Sequence, residues 1–273
     1  MNTTYQTLLV ELQEHVAHVK FNNPQKSNAM GQIFWTEIKQ VFQELDTQPQ
    51  VRVVVVSAEG KNFSAGIDLI MLAQMQQELA KINCEARKRE HLYYWIRGLQ
   101  NSFSAIEQCR KPVLAAIHGA CVGAGVDFIA ACDMRYATEE AFFCIKETDL
   151  AIVADVGTFQ RLRGVVSEGL LRELAFTART VSAHEAKSIG LVNQVFVNKE
   201  TMLTQVIQFA QMIAQKSPIT IRGIKHILNY SRNHTIEEGL NYVATWNAAV
   251  LLSQDLQESV MAVMQKRAPQ FEN

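Results

Sequence analysis

Apolar residues recur along this chain in two periods. Residues 8–11 and Val16–Phe21 form two short apolar runs, and Asn22, Asn23 and Pro24 then supply turn chemistry, which predicts two strands and a turn. Ile33, Phe34, Ile38, Val41, Phe42 and Leu45 next fall on one face at helical spacing, so a helix is predicted over about residues 31–45. Val51-Arg52-Val53-Val54-Val55-Val56 is almost continuously β-branched, the mark of a strand buried on both faces of a helix-covered sheet.

Beyond a small, polar loop at 57–66, Asp68 opens another helical stretch and a long helix is predicted over about residues 84–108. A strand at 112–117 runs into the turn His118-Gly119-Ala120-Cys121-Val122-Gly123-Ala124-Gly125 and a short apolar helix. Further strands are predicted at Met134–Thr138 and 142–145. From Val165 onward the pattern is mainly helical, with capping boxes at Ser182/Glu185 and Thr235/Glu238 and a helix start at Ser217-Pro218. The fold class is α/β, with a core over residues 1–200 and a helical region over 201–273. No internal repeat or long linker divides it.

The 273 residues are 48% hydrophobic and 19% charged, enough for a sizeable core. Net charge is −1, which provides no broad basic field for nucleic acid; Arg87, Lys88 and Arg89 form one brief cluster that reads as a solvated helix face. Five scattered cysteines without a CxxC pair argue against a disulfide framework or a zinc site, and the seven histidines suggest no metal cluster. The first residues resemble no secretion leader, no run approaches a membrane span, and Phe271-Glu272-Asn273 is no peroxisomal address. A cytosolic enzyme without membrane or nucleic-acid partners is expected.

Two strand-to-helix junctions carry candidate chemistry: Ser64-Ala65-Gly66-Ile67-Asp68 and Gly123-Ala124-Gly125-Val126-Asp127. Free N–H groups at a helix start stabilise an oxyanion, and small residues let a ligand approach them. Tight packing of a βα turn is the alternative reading of either one alone; an oxyanion hole needs both. Near them in sequence stand Asp127, Asp133, Glu147, Asp149 and Asp155. Asp127 also reads as a first-turn acid and Asp133 as the pin of a turn. Asp155, between Ala154 and Val156, sits in an apolar stretch that would raise its pKa. No dinucleotide fingerprint, Walker lysine or nucleophile elbow is present, and His118 reads as structural.

In combination these segments resemble the enoyl-CoA hydratase/isomerase (crotonase) superfamily. Lys61 to Leu69 is similar to its acyl-CoA-binding turn, Lys111 to Asp133 to its second signature, and the 20 residues from Asp127 to Glu147 to the spacing of its catalytic pair. The resemblance spans roughly residues 6–265 and implies a ClpP-like spiral of repeated ββα units, a C-terminal helical trimerisation region and a homotrimer or a hexamer made of two trimers. Within the family the details are most similar to the Δ(3,5)-Δ(2,4)-dienoyl-CoA isomerases: Asp127 where hydratases carry glutamate, a third acid at Asp155 where they carry glycine, Phe142-Phe143, Thr177-Ala178-Arg179 and Ala244-Thr245-Trp246-Asn247. Ala124 departs from the glycine often found there.

The resemblance implies catalysis by Asp127, Glu147 and Asp155, with Asp155 as base at C2, Glu147 as acid at C6 and Asp127 tuning the pair. It implies oxyanion donors at Ile67 and Ala124, and an acyl-CoA thioester substrate held around Ala65, Gly66, Asp68, Gly123 and Gly125. Lys26 and Lys266 are candidate phosphate contacts, and surface lysines otherwise. No metal or separate cofactor is expected. The alternatives are a 2-enoyl-CoA hydratase and, of another class, a non-catalytic acyl-CoA or RNA-binding relative.

Overall fold

Every residue of the strand Val53–Ala58 is buried, and its side chains divide between two apolar clusters. Val54 and Val56 join the main core, whereas Val53 and Val55 face Met202, Val206, Ala210 and Ala214 of a helix on the opposite side. Alternation along a pleated strand requires this split. The computed structural model describes residues 4–273.

Six strands form the larger sheet, in the order β1 (Leu8–Gln13), β2 (Val16–Phe21), β3 (Val53–Ala58), β4 (Val113–Ile117), β6 (Met134–Thr138) and β9 (Gln194–Phe196). Within that sheet, among the described residues, only the β1–β2 pair is antiparallel. A smaller sheet holds β5 (Ala120–Val122), β7 (Phe142–Cys144) and β8 (Val181–Ser182), and Ser64 bridges to Cys121 at its edge. Each turn of the chain therefore gives one strand to the large sheet and a short one to the small sheet: β3 then 63–64, β4 then β5, β6 then β7. This is the ββα spiral that the resemblance implied.

Helix α1 (Gln32–Thr47) packs on α3 (Glu85–Gln108) through Trp35 and Phe103, whose rings lie 4.6 Å apart. Between the sheets lies the short helix α4 (Ala124–Ala130), buried along its whole length. Phe128 fixes it, with its ring 4.9 Å from Phe21 and 5.4 Å from Phe103. Helices α2 (Leu69–Ala80), α5 (Thr158–Leu162), α6 (Glu168–Thr177) and α7 (Ala183–Ser188) complete the spiral, and α8 (Lys199–Ala214) covers the second sheet face.

Helices α9 (Pro218–Ser231), α10 (Ile236–Val250) and α11 (Gln254–Gln265) follow, with Ile224, Leu228, Leu240 and Met261 exposed.

The predicted elements recur with shifted ends: the valine strand starts at Val53 rather than residue 51, and the 142–145 strand stops at Cys144. Thr235 and Glu238 form the reciprocal capping box. Ser182 caps α7 through the Glu185 N–H, but the Glu185 carboxylate turns instead to Arg179, at 2.7 Å, so the second half of that box is absent. A half-buried guanidinium offered two bonds where the N-cap amide offered one.

Candidate active site

Because β3 and β4 are parallel neighbours, the loops leaving their C-terminal ends emerge on the same edge. Hydrogen bonds then lock those loops together. The Ser64 N–H donates to the Ala120 carbonyl at 2.9 Å and the Val122 N–H to the Ser64 carbonyl at 3.1 Å. The Ser64 hydroxyl donates to the Asn28 carbonyl at 2.9 Å and accepts from the Gly66 N–H at 3.1 Å.

Gly66 has φ +92°, and a Cβ there would stand 2.8 Å from the Val122 carbonyl oxygen and 3.4 Å from the Ala124 nitrogen. The two small-residue junctions are thus pressed against each other. Met30 flanks Ile67, donating to the Gly66 carbonyl at 2.8 Å and accepting from the Asp68 N–H at 3.1 Å, which turns the Ile67 N–H away from it. Ala124 is the first residue of α4, where no carbonyl precedes to accept from it. Among the described residues neither the Ile67 nor the Ala124 N–H donates to a backbone carbonyl. Two free donors from separate segments are what an oxyanion hole requires.

The acids gather beside these donors. Asp127, one turn into α4, is buried, and its Oδ1 accepts from both the N–H and the hydroxyl of Thr158, each at 2.7 Å. Burial pushes its carboxyl up to about 6 against those two bonds. Glu147 starts a 3-10 turn shortly after β7, beyond Ile145 and Lys146, and is also buried. Its Oε1 lies where a methyl on Gly123 would sit 3.4 Å away, and its Oε2 has no hydrogen-bond partner among the described residues. Burial first, and then the charges of Asp127 and Asp155, push its carboxyl up to about 7. A buried carboxyl oxygen left unpaired beside two other acids favours the protonated form.

Asp155 departs from the apolar setting expected for it. Its flanks Ala154 and Val156 are buried, but Asp155 itself is exposed in the single chain. The surrounding loop still withdraws enough water to raise its carboxyl above the usual range.

The structure brings Ala65, Gly66, Ile67, Asp68, Gly123, Ala124 and Gly125 to one place. A Cβ on Gly125 would stand 3.2 Å from the Ser64 Cβ, so that glycine serves the packing of the two loops. Asp68 caps α2 through the Ile70 N–H and meets Lys26 Nζ at 3.4 Å. Lys266 ends α11 as its left-handed cap, and its ammonium makes no ion pair among the described residues. Asp133 does pin its turn, accepting from the Val113 N–H and from Lys225 Nζ, both at 2.7 Å, and Asp149 pairs with Lys146. His118 closes β4 by a 2.9 Å bond to the Gly60 carbonyl.

A family model described as Enoyl-CoA hydratase/isomerase matches residues 11–273. The chain belongs to the enoyl-CoA hydratase/isomerase family. Among curated members it is 48% identical to an Arabidopsis thaliana protein named Delta(3,5)-Delta(2,4)-dienoyl-CoA isomerase, peroxisomal, over 94% of this chain and 92% of that one. It is 46% identical to the mouse protein of that name, described as mitochondrial, over 93% of this chain and 78% of the relative. Those names place both relatives outside the cytosol expected here. A solved member of the family, an enoyl-CoA hydratase from Bacillus anthracis, superimposes with a TM-score of 0.88 at 28% identity, covering 98% of this chain and 99% of that one. No helix among the described residues is long and apolar enough to cross a membrane.

Reading the sequence missed Thr158, although it follows a glycine at a helix start, where a small hydroxyl residue is a recognisable signal. It also missed Gln100, Glu107 and Arg161, whose patterns are those of ordinary surface helix positions.

Proposed function

We propose that this chain is a Δ(3,5)-Δ(2,4)-dienoyl-CoA isomerase of unsaturated fatty-acid β-oxidation. The observation that carries the reading is the placing of three acids with raised pKa around two unpaired N–H donors. The thioester oxygen is held by the N–H groups of Ile67 and Ala124. Asp155 removes a proton from C2, and the negative charge that develops on the thioester oxygen is met by those donors. Electrons shift along the conjugated chain, and Glu147, protonated near neutral pH, delivers a proton to C6. The C3=C4 and C5=C6 double bonds become C2=C3 and C4=C5. One carboxylate does not span four bonds; two facing acids do. Asp127 holds its charge near Glu147 and keeps that group protonated.

Proton transfer changes no oxidation state, so the step calls for no redox cofactor, and the two N–H donors take the place of a Lewis acid at the thioester oxygen; coenzyme A enters as part of the substrate. Lys26 beside Asp68, and Lys266, are read as contacts for its phosphates. The exposed apolar faces of α9 to α11 support assembly as a trimer or a pair of trimers.

The test is to offer purified protein a 3,5-dienoyl-CoA and a simple 2-enoyl-CoA and compare kcat/KM. Isomerisation of the diene is expected to dominate. Faster addition of water to the 2-enoyl-CoA would make the protein a hydratase with a third acid.

A further inference from the structure

One face of α3 holds the loop that carries Asp155. Gln100, Ser104 and Glu107 follow at intervals of four and three residues and so line up on the helix. Gln100 Nε2 donates to the Asp155 carbonyl at 2.6 Å, while its own Oε1 accepts from Arg97 at 2.6 Å. The next carbonyl, that of Val156, accepts from Arg161 Nη1 at 2.9 Å. Arg161 in turn reaches Glu107 Oε2 through Nε and the Ser104 hydroxyl through Nη2, both at 3.1 Å. Its side chain is only 10% exposed, so these bonds face little competition from water. Gly157, at φ +127°, passes beneath the guanidinium, and any Cβ there would overlap it.

The far side of the clamp reaches the C-terminal helices. Glu107 Oε1 accepts from Arg232, the C-cap of α9, and the Glu107 carbonyl accepts from Asn229 Nδ2 at 3.2 Å. On the loop's other flank, Thr158 is bound to Asp127. The first peptide plane after the Asp155 Cα is therefore held from α3 by Gln100, the second by Arg161 of α5, which is itself anchored on α3, and the residue after Gly157 is held from α4.

We infer that Arg161 is a positioning residue for Asp155, and that the face of α3 formed by Gln100, Ser104 and Glu107 is the surface against which it sets the loop. The inference rests on reading Asp155 as the base at C2. An exposed carboxylate on a loop samples many directions, whereas proton abstraction needs one; anchoring the two adjacent carbonyls removes that freedom. A planar guanidinium suits the task because one rigid fork reaches the carbonyl, the hydroxyl and the carboxylate together.

The experiment is a double-substitution cycle on the full-length protein, with Arg161→Met made alone and on Asp155→Asn. Alone, it is expected to lower kcat on 3,5-dienoyl-CoA by about 100-fold, the scale of a misplaced catalytic group, with KM shifting less than about threefold. On the Asp155→Asn background it is expected to cost less than about twofold more, because the group it positions is already disabled. Arg161→Lys keeps the charge without the fork and should not restore kcat. Gln100→Leu removes one bond to the Asp155 loop, together with the bond from Arg97, is expected to lower kcat about 3- to 10-fold, and carries the same cycle if Arg161→Met fails to fold.

Wild-type kcat in Arg161→Met, or a loss that multiplies in full onto Asp155→Asn, would overturn the inference in favour of general support. Failure of the isomerase reading would look different: the unsubstituted protein would convert 2-enoyl-CoA in preference to the diene.

Discussion

Thr158 donates its backbone N–H and its hydroxyl to the same oxygen of Asp127, each at 2.7 Å, and so leaves the second oxygen free of that pairing. Two donors on one buried oxygen favour the ionised carboxylate against the burial that raises its pKa. The charges acting on Asp127 are those of Asp155, which raises its pKa, and Arg161, which lowers it; Glu147 responds to both Asp127 and Asp155. Thr158→Val removes the hydroxyl donor and keeps the N–H. Asp127 should then stay protonated to higher pH and repel the ionisation of Glu147 less. The expected outcome is a 2- to 10-fold lower kcat, roughly the worth of one hydrogen bond, with the alkaline limb of the kcat–pH profile displaced to lower pH. Thr158→Ser should restore both. An unchanged profile would show that Thr158 serves packing alone.

The raised pKa of Glu147 also predicts how stability varies with pH. Its carboxyl moves from 4.5 to about 7 on folding, so between those values the folded protein binds the extra proton. Stability from this group is therefore fully present below about pH 4.5 and is lost as pH rises through about 7. Glu147→Gln removes the penalty of burying the charge. Urea unfolding at one protein concentration should show the variant more stable than wild type by roughly 1–3 kcal/mol at pH 8, with little difference at pH 4.

Gly66→Ala tests the contact between the two junctions. The added methyl meets the Val122 carbonyl oxygen at 2.8 Å in a backbone region, φ +92°, that side chains disfavour. The loop must shift to admit it, taking the Ile67 N–H with it. We expect a destabilisation of about 1–3 kcal/mol and a fall in kcat of about 100-fold, the effect of losing one oxyanion donor. A stability loss with wild-type kcat would separate this turn from the oxyanion hole.

Deuterated water distinguishes the two ends of the diene. The product 2,4-dienoyl-CoA should carry deuterium at C6, and little 3-hydroxyacyl-CoA should form. Asp155→Asn and Glu147→Gln should each lower kcat by about 10²- to 10⁴-fold with KM nearly unchanged. They should fail differently: Asp155→Asn blocks exchange at C2, whereas Glu147→Gln retains it without completing the shift. Retained C2 exchange in Asp155→Asn would assign the C2 base elsewhere.

Local composition carries much of this molecule in plain view. The valine run of β3 declares a strand buried on two faces because no solvent-facing strand tolerates so continuous an apolar stretch. Helix α1 is legible from its apolar stripe, and the two loops rich in small residues announce close backbone approach. Asp127, Glu147 and Asp155 stand out as acids in apolar segments, and the 20-residue spacing of the first two joined the segments Lys61 to Leu69 and Lys111 to Asp133 in bringing the family into view.

What the residues next to Asp155 could not reveal is its environment. Its apolar neighbours suggested burial, yet Ala154 and Val156 turn inward while Asp155 turns out. Burial of a loop residue depends on what other segments lay over it, and the segment beside this one is α3, 55 residues earlier at Gln100. Glu147 shows the converse: its raised pKa comes from burial and from acids 20 residues before and 8 after it, brought near by the spiral. The sequence alone determined which elements form, which residues bear titratable groups and which turns need glycine, because these follow from side-chain chemistry and short-range sterics. The tertiary structure alone decided which N–H groups stay unpaired, which acids share a field and which side chains clamp the Asp155 loop. Each of those is a relation between segments distant in sequence, and electrostatic and hydrogen-bond energies depend on distances in space.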